Sequence, residues 1–396
     1  MDLIINIKDT WNIVAIPRPQ YSSSTGFDIT IKGRDYNFLG TMNPLKLDIG
    51  YSRDIEGRNF FSFLLDSDIP FRLFGFNWNF NFDHDIIYRQ DMELTWYYKN
   101  ITGLSVDIPI GITTPKLGFN VLFILNEEND DSEKSLYGIF QEGLYISSRP
   151  YITWKIPIVF LPDNYGEVIY TPGITAIFNH EISPWPLSDN KKGPYLDFNH
   201  SLEFGRIDWI GNFQKGFSAN LSNSFNYDFF KSDENLHQLK GDLKLSFIYH
   251  HLINDFLGFS ARFMYFHHFN SINDNAGNVL RGIINKDIKA VYMFSLNIDL
   301  PIKVLMVRPS KWLNSGIRVF DFDIHLNPII DIAIYKNPEI SAIFTKDNLL
   351  LCGGLELIIF PDFFRSLFLR ISAAWNFSDI SNRIPMELFI GTELHY

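Results

Sequence analysis

Apolar and polar residues alternate with period two, in stretches of about ten residues, from Gly26 to the last residue. In the run from Leu45 to Ser52, Leu45, Leu47, Ile49 and Tyr51 share one face, while Lys46, Asp48, Gly50 and Ser52 share the other. After Gly75, Phe76, Trp78, Phe80 and Phe82 alternate with Asn77, Asn79, Asn81 and Asp83. The rule returns at Phe294, Leu296, Ile298, Leu300 and Ile302, and again at Met386, Leu388, Ile390, Leu394 and Tyr396. Such stretches number roughly sixteen to eighteen, the ambiguity lying around Met92 to Ile112, and sixteen is the expected count. The pattern therefore predicts an all-β fold, a transmembrane antiparallel β-barrel of about 16 strands.

Turn residues separate the runs, as at Asp54-Ile55-Glu56-Gly57, Asn100-Ile101-Thr102-Gly103 and Ser232-Asp233-Glu234-Asn235. Three longer polar insertions, Asn126 to Lys134, Ser183 to Gly193 and Ser271 to Lys289, are expected as external loops.

Composition decides between two architectures that share this alternation. A soluble sandwich turns its apolar face inward and a membrane barrel turns it to lipid. Here 16% of the chain is aromatic, with 38 Phe and 18 Tyr, against 20% charged residues. Rows this dense in Phe, Trp and Tyr match a lipid-facing band with aromatic girdles. No apolar run of about eighteen residues exists for a helical span, so strands must do the crossing.

A net charge of -11 leaves no basic stripe for nucleic acid. The single cysteine, Cys352, excludes an internal disulfide framework and is expected as a small apolar residue in a strand. Met1-Asp2-Leu3 lacks the basic start and apolar stretch of a secretory signal, so a removed leader or a truncated N-terminus is expected.

Candidate chemistry is sparse. Adjacent histidines His250-His251 and His267-His268 point to opposite faces of a strand and cannot chelate as neighbours. Asp321, Asp323 and His325 share a face and form the best metal candidate, but a wide barrel lines its lumen with such groups anyway. A barrel phospholipase would need a serine and a histidine on one outer surface, with His200 and Ser218 as candidates. No Gly-x-Ser-x-Gly elbow, phosphate-cradling loop or zincin motif appears. The reading is of no catalytic site, no metal site and no cofactor.

Four places resemble the outer-membrane barrel superfamily of BamA, TamA and the two-partner secretion transporters, which includes POTRA-linked bacterial surface antigens. Ile5 to Ile13 resembles the last strand of a periplasmic POTRA domain, and Asn37-Phe38-Leu39-Gly40 the turn after the first barrel strand. Val279-Leu280-Arg281-Gly282-Ile283 is similar to the valine-arginine-glycine-aromatic motif of the sixth external loop. It departs by the extra Leu280 and by Ile283 for the aromatic. Five alternating stretches follow it, as in the family. Pro328 to Ala333 resembles the aromatic-x-aspartate-x-glycine motif, with Ile329 and Ala333 as substitutes, and alternation independently places Asp331 on the lumenal face. Gly391, Leu394 and Tyr396 match a C-terminal signal read by assembly machinery.

The resemblance implies an organisation and a task. Residues 1–19 would be a remnant POTRA-like strand and linker, and residues 20–396 the barrel, with loop 271–289 folded into the lumen. Arg281 would pair there with Asp331, locking the loop. Phe27 to Lys32 and Met386 to Tyr396 would be the poorly paired first and last strands, with Phe27, Ile29, Gly391 and Tyr396 at a lateral gate. The implied function is insertion, assembly or translocation of proteins at the outer membrane of a diderm bacterium. Its partners would be the lipid bilayer, client outer-membrane proteins and assembly machinery. A passive porin-like channel is the alternative that the same alternation permits.

Overall fold

Strands that cross lipid cannot leave an edge unpaired, because no water is present to satisfy its N–H and C=O groups. A sheet built from the alternating runs must therefore close on itself. The computed structural model describes residues 12–90, 96–127, 142–160, 166–182, 187, 192–229, 239–272, 275–284, 286–313, 320–338, 348–362, 368–378 and 385–392.

In this structure nineteen strand segments lie in one antiparallel sheet, in chain order. They are β1 (Ile13–Ser22), β2 (Gly26–Asp35), β3 (Leu45–Arg53), β4 (Asn59–Leu73), β5 (Phe76–Arg89), β6 (Trp96–Asp107) and β7 (Thr114–Glu127). The sheet continues through β8 (Glu142–Phe160), β9 (Glu167–Glu181), β10 (Tyr195–Ile210), β11 (Phe213–Asp228), β12 (Leu239–Asn254) and β13 (Leu257–Phe269). It ends with β14 (Tyr292–Asp299), β15 (Ile302–Val307), β16 (Phe322–Lys336), β17 (Leu349–Pro361), β18 (Leu369–Asn376) and β19 (Met386–Gly391). Segments β14 and β15 are halves of one stave interrupted at Leu300-Pro301, since both lie between β13 and β16. Eighteen staves thus close where β1 meets β19.

The count exceeds the expected sixteen, and β1 is one stave the sequence hides. Its alternation carries Pro17 and Pro19, and the resemblance set residues 1–19 outside the barrel, yet Ile13 to Ser22 pairs residue for residue with Asp35 to Gly26. The boundary at residue 20 is therefore corrected, because residues 13–19 belong to the barrel wall. Of the POTRA-like strand expected at Ile5 to Ile13, residues 5–11 lie outside the described residues and Ile13 opens β1.

Prolines are tolerated here because β1 lies at the closure of the sheet. Tyr36 N donates to Asn12 O at 2.9 Å, so even-numbered residues of β1 exchange hydrogen bonds with β2. The odd-numbered backbone groups, Pro17 and Pro19 among them, turn toward β19. Ser23 N, donating to Leu388 O at 2.9 Å, follows the same parity.

The apolar rows face outward. Ile49, Phe76 and Phe80 remain 49%, 41% and 37% exposed, in the same rows as Leu45, Leu47 and Trp78. The opposite rows are buried and polar, with Ser105, Asn297, Asn327 and Asp331 turned into the lumen. An exterior this apolar needs lipid around it. Two-residue connections at Phe74-Gly75, Gly211-Asn212 and Asp255-Phe256 share one end, which short-turn convention makes periplasmic. The long connection between β13 and β14 belongs to the opposite, external end.

Candidate functional site

The connection between β13 and β14 does not project into solvent. Its single turn of 3-10 helix, Ala276–Val279, and the residues after it pack inside the barrel. Ala276, Leu280 and Ile283 form a buried apolar cluster with Met293, Ala333, Leu350 and Cys352 from the lumenal wall. Leu280, the extra residue in the loop motif, is fully buried in this cluster, and Val279 packs at its edge. The departure from the motif thus fills space inside the lumen.

Arg281 follows with a guanidinium that meets three carboxylates. It donates from Nε to Asp331 Oδ2 at 3.0 Å and from Nη2 to Asp331 Oδ1 at 2.6 Å, a bidentate fork. Its backbone N also donates to Asp331 Oδ2 at 2.8 Å. Nη1 reaches Asp299 Oδ1 at 2.6 Å and Glu356 Oε1 at 3.4 Å. The structure therefore brings Arg281 and Asp331 together, and adds Asp299 and Glu356, which sequence reasoning missed. Their lumenal parity on β14 and β17 was legible, but nothing in the sequence said which lumenal carboxylates the loop would reach. Arg370 lies beyond, 3.4 Å from Glu356 and over the Phe389 ring at 4.1 Å.

Gly282 has φ of +86°, and a Cβ there would come within 3.0–3.1 Å of the Ala374 and Trp375 backbone. Glycine is required at this point of approach to β18. Its N–H donates to Glu387 Oε2 at 2.7 Å, and Lys286 Nζ reaches the same oxygen at 3.0 Å. The other oxygen, Glu387 Oε1, accepts from Ser24 Oγ at 2.9 Å and from Ser22 Oγ at 3.4 Å.

The seam itself is thin. Among the described residues, β1 and β19 face each other at Tyr21–Ile390 and Ser22–Phe389 alone. By comparison, β18 and β19 are in register from Arg370–Gly391 to Trp375–Met386. The gate residues expected at Phe27 and Ile29 are displaced by one strand. Both lie in β2, fully paired with β1 on one side and with Arg53 and Tyr51 of β3 on the other. Gly391 is at the seam, where a Cβ would meet the Phe389 ring at 2.6 Å and Gln20 Cβ at 3.1 Å. Leu394 and Tyr396 lie outside the described residues.

A hairpin bends into the lower lumen from the periplasmic end. In β10 and β11, Gly205 and Gly216 have φ of +97° and +123°, and a Cβ would stand 2.4 Å and 2.1 Å from backbone oxygens of the facing strand. Paired glycine kinks of this kind bend a hairpin sharply. Its tip reaches over β12 through β15 as far as β16, where Asn212 Nδ2 donates to Asp323 Oδ2 at 2.9 Å and Phe213 packs 4.7 Å from the His325 ring. Between this hairpin and the loop lies a cavity of about 70 Å³, bordered by Phe213, His250, Ser260, Asp299, His325 and Glu356.

The other candidates have local explanations. Asp323 is bound by Arg308 and Lys303 at 2.6 and 3.1 Å, and Asp321 accepts from the Ser310 N at 3.0 Å, so these carboxylates serve the wall. Among the described residues no His, Cys, Asp and Glu group has metal-binding geometry. His200 bonds the Tyr170 hydroxyl at 2.7 Å and faces Asn223, whereas Ser218 faces Gly205 further along the strands.

No family model and no curated protein matches the sequence. Among solved structures, the BamA barrel of Haemophilus ducreyi lacking POTRA domains 1–3 is similar, with TM-score 0.50 and 12% identity over 97% of this chain and 71% of that one. The chain has the fold of the BamA barrel. It is an outer-membrane β-barrel. CdiB from Acinetobacter baumannii matches with TM-score 0.46 and 9% identity over 96% of this chain, which spans 60% of that protein's length. OccK2 (OpdF) from Pseudomonas aeruginosa, solved with glucuronate, matches with TM-score 0.43 and 10% identity over 96% of each chain.

Proposed function

We propose that this barrel inserts or translocates other proteins at the outer membrane by opening between β1 and β19. The observation that carries this reading is the seam. Among the described residues two facing residue pairs and the Ser23–Leu388 hydrogen bond hold it, and Pro17 and Pro19 deprive its β1 edge of donors. An opened seam would offer β19 a free edge to which a client strand can add, gaining backbone hydrogen bonds as its apolar face enters lipid. No nucleotide is needed for such a step. Clients would be outer-membrane proteins, delivered by assembly machinery.

A passive porin-like channel has the weaker claim. Such a pore keeps a wetted lumen, whereas here a loop with its own apolar cluster packs against the inner wall of β13 to β19 and the tip of a hairpin leans in beneath it. The test is a lock across the seam. Tyr21→Cys with Ile390→Cys, in a Cys352→Ser background, joins facing lipid-side positions without disturbing the lumen. Reconstituted in vesicles, the reduced form should speed folding of an unfolded eight-stranded outer-membrane barrel, and the oxidised form should not. Equal acceleration by both forms would exclude the lateral gate.

A further inference from the structure

We infer that Glu387 is a positioning residue that joins the lumenal loop to the seam, so that release of the loop and loosening of the seam are one event. The inference rests on the lateral opening proposed above. Glu387 stands on β19, the last stave, with its side chain 12% exposed. One carboxyl oxygen accepts from Ser22 and Ser24 at the upper end of β1. The other accepts from the Gly282 N–H and pairs with Lys286, both in the loop. A single side chain thus bridges three elements: the first stave, the last stave and the plug.

Two features make the bridge mechanical. Among the described residues the backbone ladder of the seam is short, so the hydroxyl contacts of Glu387 form a large share of what is seen to hold β1 to β19. Gly282 is also the residue next to Arg281, so the ionic lock and the bridge to the seam are fixed at consecutive positions. Pulling Arg281 from its carboxylates moves Gly282 off β18 and removes the amide donor of Glu387. Lys286, whose Nζ also donates to Leu280 O at 2.9 Å, leaves with the same segment. The Glu387 charge then keeps two serine hydroxyls and loses its cation, and a carboxylate in a partly dehydrated lumen turns toward water instead. The seam loses its side-chain bridge.

The test reads the seam without any client. The disulfide yield of Tyr21→Cys with Ile390→Cys, in the Cys352→Ser background, measures how much of the time the two staves are apposed. Arg281→Ala should lower the rate of cross-linking by at least about fivefold, the lower bound of a typical coupling between sites. Glu387→Ala should do the same, and Arg281→Ala added to Glu387→Ala should change nothing further. Glu387→Gln keeps the amide and hydroxyl partners but loses the pairing with Lys286, and should fall between. Heat-modifiable migration on gels establishes that each variant is folded, and Glu387→Gln carries the test if the alanine variants are not.

In parallel, thiol labelling of native Cys352, which lies under the loop, reports loop release in the Arg281→Ala protein. Labelling of Cys352 with cross-linking unchanged would overturn the inference, because loop and seam would then move independently. Coupling without client insertion would sink the proposed function and leave the inference intact. Insertion without coupling would do the reverse.

Discussion

Removing Arg281 should cost more than removing Asp331, and the structure sets the asymmetry. Arg281 faces Asp331, Asp299 and Glu356, all nearly inaccessible to water. Arg281→Ala takes the shared guanidinium from three carboxylates, leaving Arg262 near Asp331, Arg370 on Glu356 and the Asn327 amide on Asp299 and Glu356. Breaking a buried pair by removing one partner typically costs about 3–5 kcal/mol, and this site should lie at or above the upper end. Asp331→Ala removes a bidentate partner and the acceptor of the Arg281 N–H, but Asp299 and Glu356 continue to hold the guanidinium. Its cost should be nearer that of lost hydrogen bonds to a charged group, about 1.5–3 kcal/mol. Groups sharing one network do not add, so the double variant should lie close to Arg281→Ala rather than at the sum. Urea unfolding in lipid vesicles, followed by tryptophan fluorescence and gel migration, measures all four corners of the cycle. Equal single costs, or a double variant equal to their sum, would refute the claim that the lock is one buried network.

The remaining predictions address the loop, the hairpin and the exterior. Cys352 is protected in the native barrel by the loop cluster, and Arg281→Ala should speed its reaction with a small thiol reagent by about tenfold or more, a shift of about 1.4 kcal/mol in loop docking. Gly216→Ala places a Cβ against the Arg206 carbonyl, so the β10–β11 hairpin should swing out of the lumen and raise ion conductance in planar bilayers. Unchanged conductance would mean that the hairpin does not restrict passage. Ile332→Arg, on the lipid side next to lumenal Asp331, should cost about 2–4 kcal/mol in vesicle unfolding if that stave crosses near the bilayer midplane.

What the sequence made legible was everything that depends on parity. Outward rows such as Ile49, Phe76 and Phe80, and the lumenal place of Asp331, follow from period two once one face is known to meet lipid. The insertion containing Arg281 was found by its length and its position five staves from the end. Asp299, Glu356 and Glu387 could not be picked out, because contacts between a loop and distant staves depend on barrel closure, and parity marks many lumenal polar groups equally. The hairpin bending into the lower lumen was hidden for a similar reason. Gly205 and Gly216 are unremarkable in a strand until pairing shows them bending facing segments together.

The misreading of β1 has two sources. The resemblance set residues 1–19 outside the barrel, and Pro17 and Pro19, which would break a ladder in the middle of a sheet, give no sign of a strand there. Parity rescues the strand, because both prolines turn their missing donors to the same side and leave the pairing with β2 intact. That side is the seam. The residues that made the first stave hard to recognise are therefore the ones that keep it from bonding fully to the last. Replacing both should test this directly: Pro17→Val with Pro19→Val restores two donors on the seam edge, the one at position 19 facing Thr392 just beyond β19. If the seam is weak because of them, the double variant should tighten β1 against β19, resist urea better by about 1–3 kcal/mol for two added hydrogen bonds, and insert client protein more slowly. A variant that is more stable and equally active would separate seam strength from function, and would place the opening elsewhere in the wall.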